Sequence, residues 1–594
     1  MANRPNKADR ANKANRVNRA NRLNKTSRVN KANRLNKTSG VNKVNRVKKP
    51  NRPNKANRPN KADRANKADR SEMMYWPAKP DELDKDESAK QDELDKNGPA
   101  KPDELDKDEP GLTVVNVREA LQHSSDIIFR VLYINGQSDL PVTMVFIDGV
   151  VDKKAVDDNI LKPLMQECSL SQSSGLPDMI EQIEHGALYH ASQKTRRSFS
   201  ECLSDIVDGS VALIFDEENT AVTFDIKGFQ ERSITEPTGE NVIKGAKDSF
   251  VENLRTNTAT IRTKLKTDRL VIEEIRVGKQ TSTRVDIVYI KGMTNRNIVE
   301  MLRKRLDKID IDAVLTTGVI EEGIIDHRFS PFPQVISTER PDKFCSNIVE
   351  GRVGVLVDGI PVTLVIPGTM EAFLQAPEDY SQNFIISSII RFLRFALVFI
   401  TLFLPGFYIS ISSFHTEMIP TELALAITAS KEGVPFFTFI EVIFMLLAFE
   451  ILVEAGLRLP KNIGQAVSVV GAVVVGQAAV DARLVSPAVV VIIAVTAISS
   501  FTMPNQDFSN ALRLWRFIFA ILSSVIGLFG LSIGAIILLH HISNIEVFGV
   551  PYLSPFVGDD NKDMGDSLFR LPFFMQYKRP MSLKTTNKKR RGRA

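Results

Sequence analysis

The chain has 594 residues, of which 43% are hydrophobic and 25% charged, with a formal net charge of +6. Three cysteines, Cys168, Cys202 and Cys345, lie far apart; this excludes a disulfide scaffold, a Cys-rich zinc site and a CxxC redox pair, and suits a reducing compartment. Long apolar stretches in the last third exclude a single globular soluble domain.

Residues 1–70 iterate short Asn/Lys/Arg units and hold 23 Lys/Arg against 3 Asp. Without aromatics they cannot bury enough surface to offset chain entropy, so disorder is expected. Residues 71–110 follow with 6 Lys against 14 Asp/Glu, written around repeats such as Pro80-Asp-Glu-Leu-Asp-Lys-Asp86. A basic arm for anionic lipid or nucleic acid is one reading. A low-complexity extension, partly neutralised by its acidic half, is favoured, and nucleic acid is not an expected partner. The start has no continuous apolar run, so no secretory signal is expected.

From about residue 112 the pattern becomes strand-like. Ile127–Ile134 and Val142–Ile147 read as paired strands around Asn135-Gly136. A helical pattern covers about 153–166 and another about 198–207, followed by strands at Val211–Phe215 and Ala221–Ile226. The same order recurs: strands at Leu270–Val277 and Thr283–Ile290, helices at about 294–308 and 342–349, and strands at Val353–Val357 and Val362–Ile366. Val145–Gly149 lies over Val288–Gly292 at an offset of 143; Ser204–Gly209 lies over Ser346–Gly351, and Asp216 over Asp358, at 142. The expected fold is an α/β soluble region of two similar subdomains, 111–235 and 236–380. A polytopic α-helical membrane domain follows over 381–545, then a C-terminal tail over 546–594.

No P-loop, Rossmann fingerprint, HExxH or GxSxG is present. His185 and His190 are a poor helical metal pair, and Glu201, Asp205 and Asp208 read as solvated helix and turn residues. No catalytic, cofactor or metal site is expected.

Five apolar stretches follow, at about 395–414, 434–453, 463–480, 484–503 and 517–539. Each is about 18–23 residues, which matches a hydrocarbon core of about 30 Å. Arg391, Arg394, Arg458, Lys461, Arg513 and Arg516 flank them on one side, which places the soluble region on the cytoplasmic side. Five spans put the C-terminus outside, as the acidic 546–566 segment allows. Lys588-Lys-Arg-Arg-Gly-Arg593 favours the inside, and four spans result if 463–480 is re-entrant. Glu441, Glu450 and Glu454 sit within the second stretch. Glu454 pairs most simply with Arg458. Glu441 and Glu450 are nine residues apart, on opposite helix faces. Either one lines a wet pathway or makes a buried hydrogen bond to a neighbouring helix. Gly464/Ser468, Ala472/Gly476 and Gly530/Gly534 place small residues one turn apart for close packing. Pro405-Gly406 inside the first stretch predicts a kink.

Residues 115–580 resemble the GerA family of spore germinant-receptor A subunits. The runs that carry the resemblance are Gly245-Ala-Lys-Asp-Ser-Phe-Val-Glu-Asn-Leu-Arg-Thr-Asn257, Arg305-Leu-Asp-Lys-Ile-Asp310, Pro331-Phe-Pro-Gln334 and Thr338-Glu-Arg-Pro-Asp342. To these add Glu350-Gly-Arg-Val353, Asp358-Gly359 with Pro361, and Glu378-Asp379-Tyr380. Ala246 departs from the family's usual proline; the 1–110 repeats lie outside its pattern. The resemblance implies a membrane subunit of a nutrient-sensing receptor in the inner spore membrane, with its soluble region on the core side. It implies a permease-like B subunit and a lipoprotein C subunit as partners. It also implies a homo-oligomer of A subunits forming a germinant-gated cation channel, with the nutrient germinant reaching the chain indirectly through B. A secondary transporter and a non-conducting signalling scaffold are the rivals. Arg340 and Asp342 are candidate interdomain residues: Arg340 either ties the second subdomain to the membrane part by an ion pair or sits in a surface turn.

Overall fold

The inner strands of each sheet carry apolar residues on both faces, because helices cover both. In β4 (Val211–Phe215), Val211, Leu213 and Phe215 enter one core while Ala212 and Ile214 enter the other. The computed structural model describes residues 109–590, apart from 135–140, 167–174, 189, 191, 229–236, 238, 241, 243, 459–474 and 558–565. The described residues fall in one compact unit. The basic repeats, most of the acidic repeat, the Asn135-Gly136 turn, Lys461 and most of the 463–480 stretch, with Gly464, Ser468 and Ala472, lie outside the described residues.

The first sheet follows α1 (Val114–Ala120) with β1 (Ile127–Tyr133), β2 (Pro141–Ile147), β3 (Gln193–Arg196), α2 (Phe199–Val207), β4 and β5 (Thr220–Phe224). The expected 153–166 helix forms as consecutive turns, with a π-helical segment at Asp157–Leu161. The second sheet follows α3 (Leu254–Lys264) with β6 (Leu270–Val277), β7 (Thr283–Ile290), α4 (Arg296–Asp307), β8 (Ile336–Thr338), α5 (Pro341–Glu350), β9 (Val353–Val357) and β10 (Thr363–Ile366). Strand orders are β1-β2-β4-β5-β3 and β6-β7-β9-β10-β8, antiparallel throughout.

The repeat extends to backbone detail. Gly149 and Gly292 adopt φ of 86° and 76°, and Gly209 and Gly351 adopt 95° and 103°. Glycine occupies this left-handed region without the steric cost of a Cβ. Asp216 Oδ1 accepts from Val114 N at 2.7 Å, at the start of α1. Its counterpart Asp358 accepts from Leu254 N at 3.4 Å, at the start of α3. Each sheet thus holds its own leading helix through the carboxylate in its last turn.

The sheets are joined by a buried ion pair. Arg262 on α3 donates from Nε and Nη2 to both carboxylate oxygens of Asp126, at 2.8 and 2.9 Å, and from Nη1 to Leu270 O. Ser125 N also donates to Ile272 O at 2.8 Å.

Beyond the second sheet run α6 (Phe384–Ser413), α7 (Thr438–Arg458), α8 (Pro487–Phe501), α9 (Gln506–Ile526) and α10 (Leu528–Ser543). α6 and α9 are long and apolar enough to cross a membrane; α8 and α10 are apolar but shorter. The expected 517–539 span is not one helix. The chain reverses at Gly527, whose φ of 62° and ψ of −138° break it into α9 and α10. The two pack as a hairpin. A Cβ on Gly530 would collide with Leu522 O, and one on Gly534 would lie 2.8 Å from the Phe519 ring. α6 runs unbroken through Pro405. Beside it, a Cβ on Gly406 would lie 2.8 Å from Ser523 Oγ, so this point of α6 closes against α9.

Candidate functional site

The apolar helices have a near end, against the second sheet, and a far end. Phe332 and Phe373 of the soluble region contact Phe508 at the start of α9, and Phe332 also meets His541 near the end of α10. Val398, Leu402, Phe508, Leu538 and Ile542 share one core with β6–β10. At the far end, the Gly527 reversal lies against Phe414 and His415, just past α6. α6 and α9 therefore run away from the sheets and α10 returns.

α7 carries both acidic candidates, on different neighbours. Glu441 is 1% exposed and its Oε2 accepts from Ser486 N at 2.7 Å, capping the start of α8 at the far end. Its Oε1 has no partner among the described residues. Glu450, nearer the sheets, accepts from Arg516 and from Arg513, both on α9. Arg516 is fully buried, and its Nε and Nη1 lack partners among the described residues. Glu454 pairs with Arg458 at the exposed end of α7. Opposite faces of one helix thus grip two different helices, as the nine-residue spacing requires. Pro405, Gly530 and Gly534 line the packing of α6, α9 and α10, within one chain.

At the near end the root of α6 is held by charge. Arg391 and Arg394, read from the sequence as flanking residues, lie inside the helix and both bond Asp379, which is 3% exposed. Arg391 also reaches Asp566 of the C-terminal segment, and Tyr380 Oη donates to Asp566 Oδ2 at 3.1 Å. Burial pushes the Asp566 carboxyl up to about 6, although Arg391 beside it pulls the other way. Residues 546–590 are therefore no free tail where they are described. Met370 N donates to Tyr552 O, Thr586 N to Met293 O and Arg579 Nε to Val349 O. The end of the chain is bonded to the same region from which α6 departs. Of the acidic residues in the 546–566 segment, Asp566 is held by Arg391.

The expectation that Arg340 ties the second subdomain to the membrane part is corrected. Its guanidinium is buried and bonds Asp342, Glu240 O and Ala246 O. Its partners are the connector between the two sheets and its own helix start. Sequence reasoning missed the Arg262–Asp126 pair; α3 is largely polar, with Asn257 and Thr258 also buried, so nothing in its pattern singled out Arg262. His185 and His190 are apart in role: His185 bonds Glu181 O, and His190 packs edge-on against Phe224. Arg196 binds Glu201 and Asp205. Cys202 and Cys345 are free and buried, and burial pushes both thiols up to about 12. Among the described residues no cluster of three metal-ligating side chains occurs.

The family model for the Bacillus/Clostridium GerA spore germination protein matches residues 115–582. Spore germination protein KA of Bacillus subtilis (strain 168) is 38% identical over 480 residues, covering 81% of this chain and 88% of the relative. The membrane protein YfkQ of the same organism, described as uncharacterized, is 38% identical over 463 residues, covering 77% and 88%. The solved N-terminal domain of the A subunit of the Bacillus megaterium germinant receptor GerK3 is 31% identical, covering 42% of this chain and 91% of that one, with a TM-score of 0.33. With most of its length matched, from the first helix of the doubled soluble region to the C-terminal segment, this chain belongs to the GerA family of spore germination proteins.

Proposed function

We propose that this chain is the A-type subunit of a nutrient-responsive germinant receptor, embedded in the inner spore membrane with both sheets on the core side. The observation that carries the reading is the shared core of the second sheet and the near ends of α6, α9 and α10. A shift in the soluble region would reach the membrane helices through packed side chains, without a flexible joint. The chain crosses an even number of times in this reading. Of the described helices, α6 runs out, α7 back, α8 back, α9 out and α10 back. The arginines of the near end, Arg391, Arg394, Arg458, Arg513 and Arg516, support a cytoplasmic position for it.

The role is non-enzymatic. A permease-like B subunit recognises the nutrient, a lipoprotein C subunit completes the receptor, and copies of this chain assemble around a cation path. The internal pairing of Glu441 and Glu450 favours a path between chains over one through a single helix bundle. Breaking the Glu450–Arg516 contact is the switching event that fits the geometry, because it frees α7 from α9. Glu450→Gln is expected to change germinant-triggered K⁺ release from spores by about five- to tenfold at normal protein level. Unchanged release in both Glu450→Gln and Glu441→Gln removes these residues from the pathway and favours a non-conducting scaffold.

A further inference from the structure

Between the first turns of α6 and residues 569–575 lies an open cavity of about 530 Å³, within the range of about 300–1,000 Å³ typical of ligand sites. Ile385, Ile389 and Phe392 form one wall, and Leu571, Phe574 and Met575 the other. These side chains are not covered by protein: Ile389 is 64% exposed and Phe574 55%. The apolar surface continues from this slot onto Ile386, Ile390 and Leu393 of α6.

One cation lines the slot. Arg570 is 5% exposed, and its Nη1 donates to Gln382 O at 2.7 Å. Nη2 donates to Tyr380 O at 3.4 Å, whereas Nε, also buried, has no partner among the described residues. Residues 567–590 carry seven Lys/Arg and no Asp/Glu, with Lys578 exposed. Phe569, Phe573 and Tyr577 stay exposed beside them, the amphipathic ring composition of a bilayer–water boundary. An apolar slot whose one lining cation is a buried, incompletely bonded guanidinium, on a segment rich in Lys/Arg, fits an amphiphile with an anionic head.

We propose that this cavity holds one anionic phospholipid of the surrounding bilayer. Its acyl chain lies between α6 and residues 569–575, and its phosphate lies toward Arg570. The lipid then clamps the C-terminal segment to the root of α6. The inference rests on the membrane reading above.

The test is native mass spectrometry of the purified full chain in mild detergent, titrated with dioleoyl-phosphatidylglycerol or dioleoyl-phosphatidylcholine. One phosphatidylglycerol adduct is expected, bound about tenfold more tightly than any phosphatidylcholine adduct. Met575→Glu weakens it about tenfold, and Arg570→Gln removes the preference between the two lipids. Ile389→Glu, on the opposite wall, replaces Met575→Glu if that variant's thermal midpoint falls. Three results overturn the proposal: no adduct, equal affinity for both lipids in the unsubstituted chain, or adducts unchanged in the glutamate variant, which marks general boundary lipid only. Alkaline carbonate washing of the source membranes separates the two readings. A chain that stays with the membrane but binds no lipid here refutes the site alone; a chain released into the supernatant refutes both.

Discussion

Asp286 in β7 is fully buried, and neither carboxylate oxygen has a hydrogen-bond partner among the described residues. Burial pushes it up to about 7; Arg255 opposes this, while Glu274 and Asp126 add to it. The folded chain therefore keeps a proton that the unfolded chain loses from about 3.8 upward. Between these values the native state binds more protons, so stability from this group is full at low pH and falls as pH rises through about 7. Asp286→Asn is expected to raise stability at pH 8 by about 1–2 kcal/mol and to flatten the pH dependence of thermal unfolding in detergent. The opposite case is Arg262. Arg262→Met leaves Asp126 charged and buried, with an expected loss of about 3–5 kcal/mol, read as a lowered unfolding midpoint. Adding Asp126→Leu should recover part of that loss. Neither site was legible in the sequence, because both depend on which charges the two sheets bring together. The same holds for Arg340, whose partners lie about a hundred residues upstream.

At the level of elements, the doubled soluble region was legible because its signals are local. Glycines at matched positions, a carboxylate in the last turn of each sheet and continuous apolar strands recur at offsets of 142–143. The edge strands β3 and β8 were not legible. Gln193-Lys-Thr-Arg196 is polar and Ile336-Ser-Thr338 is three residues long, so neither has an alternation to read. The α9–α10 reversal was misread for a related reason. Hydropathy sums apolar residues and is blind to direction, so two helices either side of Gly527 looked like one span. The small residues themselves were informative, since Gly530 and Gly534 do mark a helix contact. Gly530→Val places its side chain against the Leu522 carbonyl and is expected to cost about 1–3 kcal/mol or more. The check is faster proteolysis or loss of the folded chain from membranes, with Ser532→Val, on an exposed position of the same helix, as the control.

On the scale of the whole molecule, the C-terminal segment closes a loop. It leaves the near end of α10, touches the short helix after β10 at Met370, meets the root of α6 through Asp566 and Arg391, and reaches Met293 and Val349. In the proposed topology these bonds keep the C-terminal segment on the same side as the soluble region. The most direct measurement is impermeant maleimide labelling of single introduced cysteines, in a chain whose Cys168 is replaced by serine and whose Cys202 and Cys345 are buried. Lys279→Cys, Glu417→Cys and Lys588→Cys report the soluble region, the far end and the C-terminal segment. In intact cells only Glu417→Cys should label, with Lys279→Cys and Lys588→Cys labelling together after permeabilisation. Labelling of Lys588→Cys in intact cells while Lys279→Cys stays protected would contradict the account.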